Sequence, residues 1–509
     1  MSEAVIDAVE VFLGQPTSTP SQETLLSAFQ KQEALHDGTA VHRPPYSKWR
    51  QHLGKERRES LAAHMGPQAK DTAMDAQTMI LRLAVLMRVK SSVDPSLNEI
   101  AQHLLTADLS GISEDLLFEA CNILQAIKAW KSLAHVAQCA LINTTKRAET
   151  SPRTNILADF YVLANYKLLL PLFKANTLSE IEQKGFAIKI DALSPYLNNA
   201  SKNMLFYRAI IANLGRDLDT AVSFVLAAQQ AEGRMIGLFQ RLESFTAPAT
   251  LTVGPSETYK SLLDTTCHHY RHKPGDSPVL LVSSNDDYFA RYHDKLIESF
   301  AYWNPAAILH IHCVNFEPAE KILDALEITH GIKINYSVDM QTLLMPGSQN
   351  FGGYCAGVRY IFLPEYLTTY SRIAVTDIDG LIRRPLAKLW QDNKDAILLT
   401  SKYMKSEWQS ARLLWEMIAA GSFGITNSPE NQEFAGYLST YLCDQIAACE
   451  ARGLKLFCTD QIGLLLAYMR CRETCEFTSC DDLYMQSGDW RFGRGDAKTK
   501  LQNSRDYRK

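Results

Sequence analysis

The spacing of apolar positions changes once along this chain. From about Asp71 to Gly233 they recur at three- and four-residue steps, as in Leu81, Leu83, Ala84 and Met87 and again in Leu116, Leu117, Ala120, Ile123 and Leu124. That is the period of helices burying one face. Strand-like alternation is scarce over this half. Tyr207 to Ala228 reads as a helix, a short turn at Leu214-Gly215-Arg216, and a second helix with Ala221, Phe224 and Ala228 on one face. Such a hairpin suits a tetratricopeptide-type repeat, whose small residues let paired helices pack closely. It suits a plain helical bundle equally, because no period of about 34 residues continues upstream.

Beyond Pro278 short β-rich runs alternate with helical patterns. Val279 to Val282, Ile308 to Val314, Ile332 to Val338 and Ile373 to Thr376 read as strands; Tyr288 to Tyr302 and Pro318 to Leu326 read as helices. This alternation predicts βαβ units and a mainly parallel sheet covered on both faces. Breakers divide the rest. Residues 1–70 are mixed loops and short helices, 71–244 an all-α domain, 245–277 a linker region with a helix near Glu257 to His269, and 278–509 the α/β domain.

The composition narrows the class. Two or three domains are expected for 509 residues. A net charge of −4 over this length points to neither nucleic acid nor an anionic membrane as partner. The longest strongly apolar stretch, Leu81 to Met87, falls far short of the roughly 20 residues that span a bilayer. The expected location is the cytoplasm. Cys458, Cys471, Cys475 and Cys480 lack the paired spacing of common zinc sites and read as free thiols. His268, His269 and His272 read as a solvated hinge rather than a metal site.

Open α/β sheets bind ligands beyond the carboxyl ends of their strands. The first strand is followed by Ser283-Ser284-Asn285-Asp286-Asp287-Tyr288, read as a polar turn suited to a base or ribose, with Asp286 as the candidate contact. The fourth is followed by Asp377-Ile378-Asp379. Neither a P-loop nor a dinucleotide-type glycine loop is present, so a bound diphosphate would need other neutralisation. A divalent cation held by carboxylates supplies it, since Mg²⁺ and Mn²⁺ take oxygen ligands. Two aspartates at i and i+2 leaving a strand can serve one such ion. The pair alone is weak, arising by chance about once or twice in a chain this long. Asp217-Leu218-Asp219 is a decoy at a helix start.

Context separates the two pairs. Tyr354-x4-Arg359-Tyr360-Ile361-Phe362-Leu363-Pro364-Glu365-Tyr366-Leu367, Ser371 to Asp379, and Leu386-x3-Trp390 resemble the central segment of GT-A glycosyltransferases, nearest the family-8-like group of nucleotide-diphospho-sugar transferases. Ala420 to Asn427 resembles the family's small-residue strand beside the donor sugar, and Phe457-Cys458-Thr459-Asp460-Gln461 its Asp-Gln element. The resemblance spans about two fifths of the chain, from Pro278 to Gly493.

The resemblance implies a metal-dependent hexosyltransferase using a nucleotide-diphosphate sugar, foremost a UDP-sugar, with Mn²⁺ or Mg²⁺ and retention of configuration. Asp377 and Asp379 would hold the metal, with Asp377 also near the ribose. Arg359 would contact the diphosphate or position Asp377, and Asp460 and Gln461 would face the reacting carbon and the acceptor. The family's usual C-terminal histidine ligand is missing after His330, and Asp489 is the preferred substitute over Asp481 and Asp482. Lys498 stands where the family has a phosphate-contacting lysine. The acceptor class, glycan, lipid or protein, stays open, as does a protein partner for the helical domain. The alternatives are a degenerate transferase acting as a scaffold and a nucleotidyltransferase. The bland alternatives are a solvated turn at Asp377 and Asp379, a surface ion pair for Arg359 and a helix cap at Asp460.

Overall fold

The structure, a computed structural model, describes residues 75–479 except 90–93, 146–151, 175–176, 198–200, 232–243, 255–256, 341–342, 346, 383, 392–393, 402–413 and 457. The chain divides between Leu242 and Glu243 into two compact units.

The described residues of the first unit form helices: α1 (Ala76–Val89), α2 (Pro95–His103), α3 (Glu114–Ala126), α4 (Trp130–Thr145), α5 (Pro152–Lys174), α6 (Glu180–Asp191), α7 (Lys202–Leu214) and α8 (Leu218–Gln230). Sequential helices pack on one another, most extensively α4 on α5 and α7 on α8. The periodic residues Leu81, Leu83, Ala84, Met87, Leu116, Leu117, Ala120, Ile123 and Leu124 are all buried. The α7–α8 turn is local chemistry. Gly215 ends α7, Arg216 adopts φ 65°, and Asp217 starts α8 by accepting the Thr220 N–H at 3.0 Å. Asp217 is therefore a helix cap, the role its position predicts.

The second unit, over its described residues, is built on one eight-stranded sheet. Its elements are α9 (Glu257–Thr265), β1 (Cys267–His269), β2 (Val279–Asn285), α10 (Asp286–Trp303), β3 (Ile308–Val314), α11 (Glu320–His330), β4 (Lys333–Asp339), α12 (Phe351–Ile361), α13 (Leu363–Thr369), β5 (Arg372–Thr376), β6 (Ile397–Ser401), β7 (Ile418–Thr426), α14 (Pro429–Ala451), α15 (Thr459–Cys471) and β8 (Phe477–Ser479). The strand order is β1-β4-β3-β2-β5-β7-β6-β8. The sheet is mixed but mainly parallel, six of its eight strands running in one direction. β2, β3, β4 and β5 run parallel, as do β6 and β8, whereas β1 and β7 are antiparallel to their neighbours.

Two expectations change here. The supposed polar turn after the first strand is not a turn: Ser283, Ser284 and Asn285 pair with His312, Cys313 and Val314, and α10 starts at once. Asn285 makes this possible, its side chain accepting the Tyr288 N–H at 2.9 Å. Nor is the histidine cluster a solvated hinge. The helix near 257 stops at Thr265, and Cys267–His269 forms an edge strand on β4. His269 stacks on Tyr336 with centroids 4.4 Å apart, and His268 Nδ1 lies 2.7 Å from Ser337 Oγ.

Strand alternation gives the sheet two unlike faces. On β3, Leu309, Ile311 and Cys313 join an apolar core with Phe289, Leu296 and Phe300 of α10 and Leu323 of α11. His310 and His312 point the other way into a buried polar layer. His310 contacts Tyr370 Oη and Ser337 Oγ, each at 2.8 Å; His312 Nδ1 contacts Tyr366 Oη at 2.6 Å. Three of the four ring nitrogens find partners; His312 Nε2 makes no hydrogen bond and lies 3.6 Å from Asp339 Oδ2.

Candidate functional site

Topology locates the site before any side chain is considered. From β2 the chain proceeds to β3 and β4 on one side, then returns to lay β5 on the other. The β2/β5 boundary is thus a switch point, where open α/β sheets form a crevice at the carboxyl ends of the strands. A cavity of about 260 Å³ lies there, lined by the end of β2 (Ser283, Ser284, Asn285), Tyr288 of α10, one face of α12 and Asp377-Ile378-Asp379 after β5.

The aspartate pair occupies a tight turn. The Gly380 N–H donates to the Asp377 carbonyl at 2.9 Å, while Ile378 between them is 4% exposed and belongs to the apolar core. The buried isoleucine anchors the turn, and the two carboxylates flank it on the cavity wall.

Arg359 organises the wall from behind. The α12 residues Gly352, Cys355, Ala356 and Arg359 fall at i, i+3, i+4 and i+7, one helical face. The guanidinium is buried and donates through Nη1 to the Thr376 carbonyl at 3.0 Å, and through Nη2 to Asp377 Oδ1 at 2.6 Å and the Ala420 carbonyl at 3.2 Å. Burial alone would lower its pKa. Burial is the largest single influence, but the charge and hydrogen bond of Asp377, with Tyr360 and Asp460, together outweigh it and raise the value, so Arg359 stays cationic. Cys355 is no nucleophile at neutral pH, since burial pushes its thiol up to about 12.

Asp460 stands at the start of α15, its Oδ1 accepting the Gln461 N–H at 2.9 Å. Burial raises its carboxyl pKa, and the nearby Arg359 opposes that shift while Asp377 adds to it. Asp460 is therefore within electrostatic reach of both, though it does not line the cavity. Asp286 is exposed at the first position of α10, outside the cavity lining, and Asn285 and Tyr288 line it instead. Asp489 and Lys498, like Asp481 and Asp482, lie outside the described residues.

Gly352, Cys355 and Ala356 line the cavity without belonging to any motif of the sequence. Their signal is the helical spacing of small residues ahead of Arg359. Among the described residues no group of three His, Cys, Asp or Glu side chains is gathered for a metal. The wall still offers two carboxylates two residues apart, a donor set of oxygens suited to a hard divalent cation that completes its shell with phosphate and water.

No family model matches the sequence, and no curated protein matches it. Solved structures with some likeness include the glycosyltransferase GlyE of Streptococcus pneumoniae TIGR4, at 15% identity over 40% of this chain and 46% of that one, TM-score 0.27. This chain thus spans less than half of GlyE. Mouse xyloside xylosyltransferase 1 gives 13% identity over 40% of this chain and 85% of that one, TM-score 0.28. The galactosyltransferase LgtC gives 13% over 44% and 95%, TM-score 0.26. Likeness this faint carries no inference about this chain.

Proposed function

We propose that the second unit is a glycosyltransferase of the GT-A type, moving a hexose from a nucleotide-diphosphate sugar to a glycan, lipid or protein acceptor. One observation carries the reading: an Asp-x-Asp turn, braced by a buried arginine, on the wall of a cavity at the β2/β5 switch point. The sequence resemblance around Arg359, Asp377 and Asp379 supports it from a separate direction.

In this reading Asp377 and Asp379 hold Mn²⁺ or Mg²⁺, and Asp489 is the candidate for a further ligand. The bound ion supplies Lewis-acid neutralisation of the donor diphosphate. The chain's own residues do the rest. Arg359 fixes the Asp377 carboxylate, Asn285 and Tyr288 offer an amide and a ring to the nucleoside, and Lys498 is the candidate cation for the phosphates. Asp460 and Gln461 face the reacting carbon and the acceptor hydroxyl. Transfer with retention, a UDP-linked donor and recruitment of the acceptor by the helical unit complete the proposal.

The deciding experiment is hydrolysis of a panel of UDP- and GDP-sugars with Mn²⁺, comparing the native chain with Asp377→Ala and Asp379→Ala. Metal-dependent release of sugar from one donor, lost in both variants, supports the reading and names the donor. Calorimetric binding without turnover would favour a scaffold. Absence of both binding and turnover would sink the transferase reading.

A further inference from the structure

A single carboxylate ties together the two segments that lead into the site. Glu450, in the last turn of α14, accepts the Met345 N–H at 3.0 Å through Oε1. Through Oε2 it accepts from Ser348 Oγ at 2.7 Å and from Asn350 Nδ2 at 3.0 Å. The Ser348 bond leads in holding its pKa below the usual carboxylate range, so the charge is present at neutral pH.

Asn350 extends the link to the chain that follows α14. Its Nδ2 also donates to the Leu454 carbonyl at 2.9 Å, and its Oδ1 accepts the Leu456 N–H at 2.7 Å. The Gln349 side chain adds a bond to the Gly453 carbonyl at 3.2 Å. Asn350 precedes α12, where an asparagine side chain ordinarily caps the helix. Here it makes no cap bond, its capacity being committed to the clamp. Gly353 completes the joint, because a Cβ there would stand 3.1 Å from Leu456 Cβ.

Both clamped segments feed the candidate site. α12 runs from this joint to Arg359 along the cavity wall, and the chain beyond Leu456 leads into α15, whose second residue is Asp460. We propose that Glu450 and Asn350 are positioning residues that hold Asp460 in register with the Arg359–Asp377 pair. Neither lines the cavity. The catalytic half of this inference rests on the transferase reading; the mechanical half does not.

The test is hydrogen–deuterium exchange and donor kinetics on the full chain with Glu450→Ala, and with Glu450→Gln, which keeps the length and one acceptor oxygen. In Glu450→Ala, amides at 351–354 and at 458–462 are expected to exchange faster together while those of β5 stay protected. Turnover is expected to fall about tenfold or more, with UDP affinity changed by less than about twofold. Glu450→Gln should recover much of both. Faster exchange confined to 345–350, or a parallel loss of UDP affinity and turnover, overturns the proposal. If the native chain neither binds nor turns over a donor, the transferase reading fails by itself, and the exchange pattern still decides whether the clamp joins the two segments.

Discussion

Arg359 Nη2 reaches Asp377 Oδ1 at 2.6 Å, joining a guanidinium only 2% exposed to a carboxylate 40% exposed. The buried partner braces and the exposed one is presented to solvent. Arg359→Lys keeps the charge but cannot serve Thr376, Ala420 and Asp377 together. It is expected to destabilise the α/β unit by about 2–3 kcal/mol in urea denaturation and to weaken UDP binding in calorimetry. Unchanged stability would show that the brace is redundant.

Gly424→Ala should damage the sheet without touching the cavity. A Cβ at Gly424 would stand 2.9 Å from both Leu398 Cδ1 and Trp390 Cζ2. Overpacking of this kind costs about 1–3 kcal/mol. Denaturant midpoints of the two chains measure it directly.

Acid should destabilise the α/β unit through the half-buried His268 and the buried His310. Burial lowers the pKa of His268 to about 4, and it lowers His310 well below its ordinary value. The unfolded chain then binds more protons than the native one below about pH 6.5. Stability is full above that pH and is lost as pH falls toward 4 and below. Ser337→Ala removes the hydroxyl within reach of both rings, at 2.7 and 2.8 Å. Its midpoint should drop at every pH, and a pH series of thermal melts tests both statements.

The helical unit should show the opposite slope. Asp159 is 1% exposed, its Oδ2 has no partner, and Asn203 Nδ2 approaches Oδ1 only to 3.4 Å. Burial raises its pKa well above the ordinary value. The native form therefore holds a proton that the unfolded chain releases near pH 4, and stability falls as pH rises above that. Asp159→Asn should melt higher than the native chain at pH 8, with the gap closing toward pH 4. A gap independent of pH would contradict the assignment.

The parts of this fold legible in the sequence are those whose signal is local. β2 to β5 are apolar runs between helical patterns, and the aspartate pair follows a strand directly. β1 is illegible because Cys-His-His has no strand character of its own; Tyr336 and Ser337, distant in sequence, supply its partners. Ser283 to Asn285 look like a turn because they are polar, yet Ser283 Oγ is satisfied by the Cys355 carbonyl at 2.6 Å, across 72 residues. The small face of α12 escapes notice for a different reason. Gly352 and Ala356 contribute space, and space leaves no chemical trace in a residue list.

The acceptors of Arg359 carry a consequence for the order of assembly. One carbonyl belongs to β5 and the other, at Ala420, to β7, which also receives the hydroxyl of Tyr360. More than forty residues separate the two strands. A growing chain that has reached only Thr376 possesses the aspartates' strand but lacks Asp377 and Ala420, two of the arginine's three acceptors. The anchorage of the crevice's arginine is therefore complete only when β7 is laid against β5.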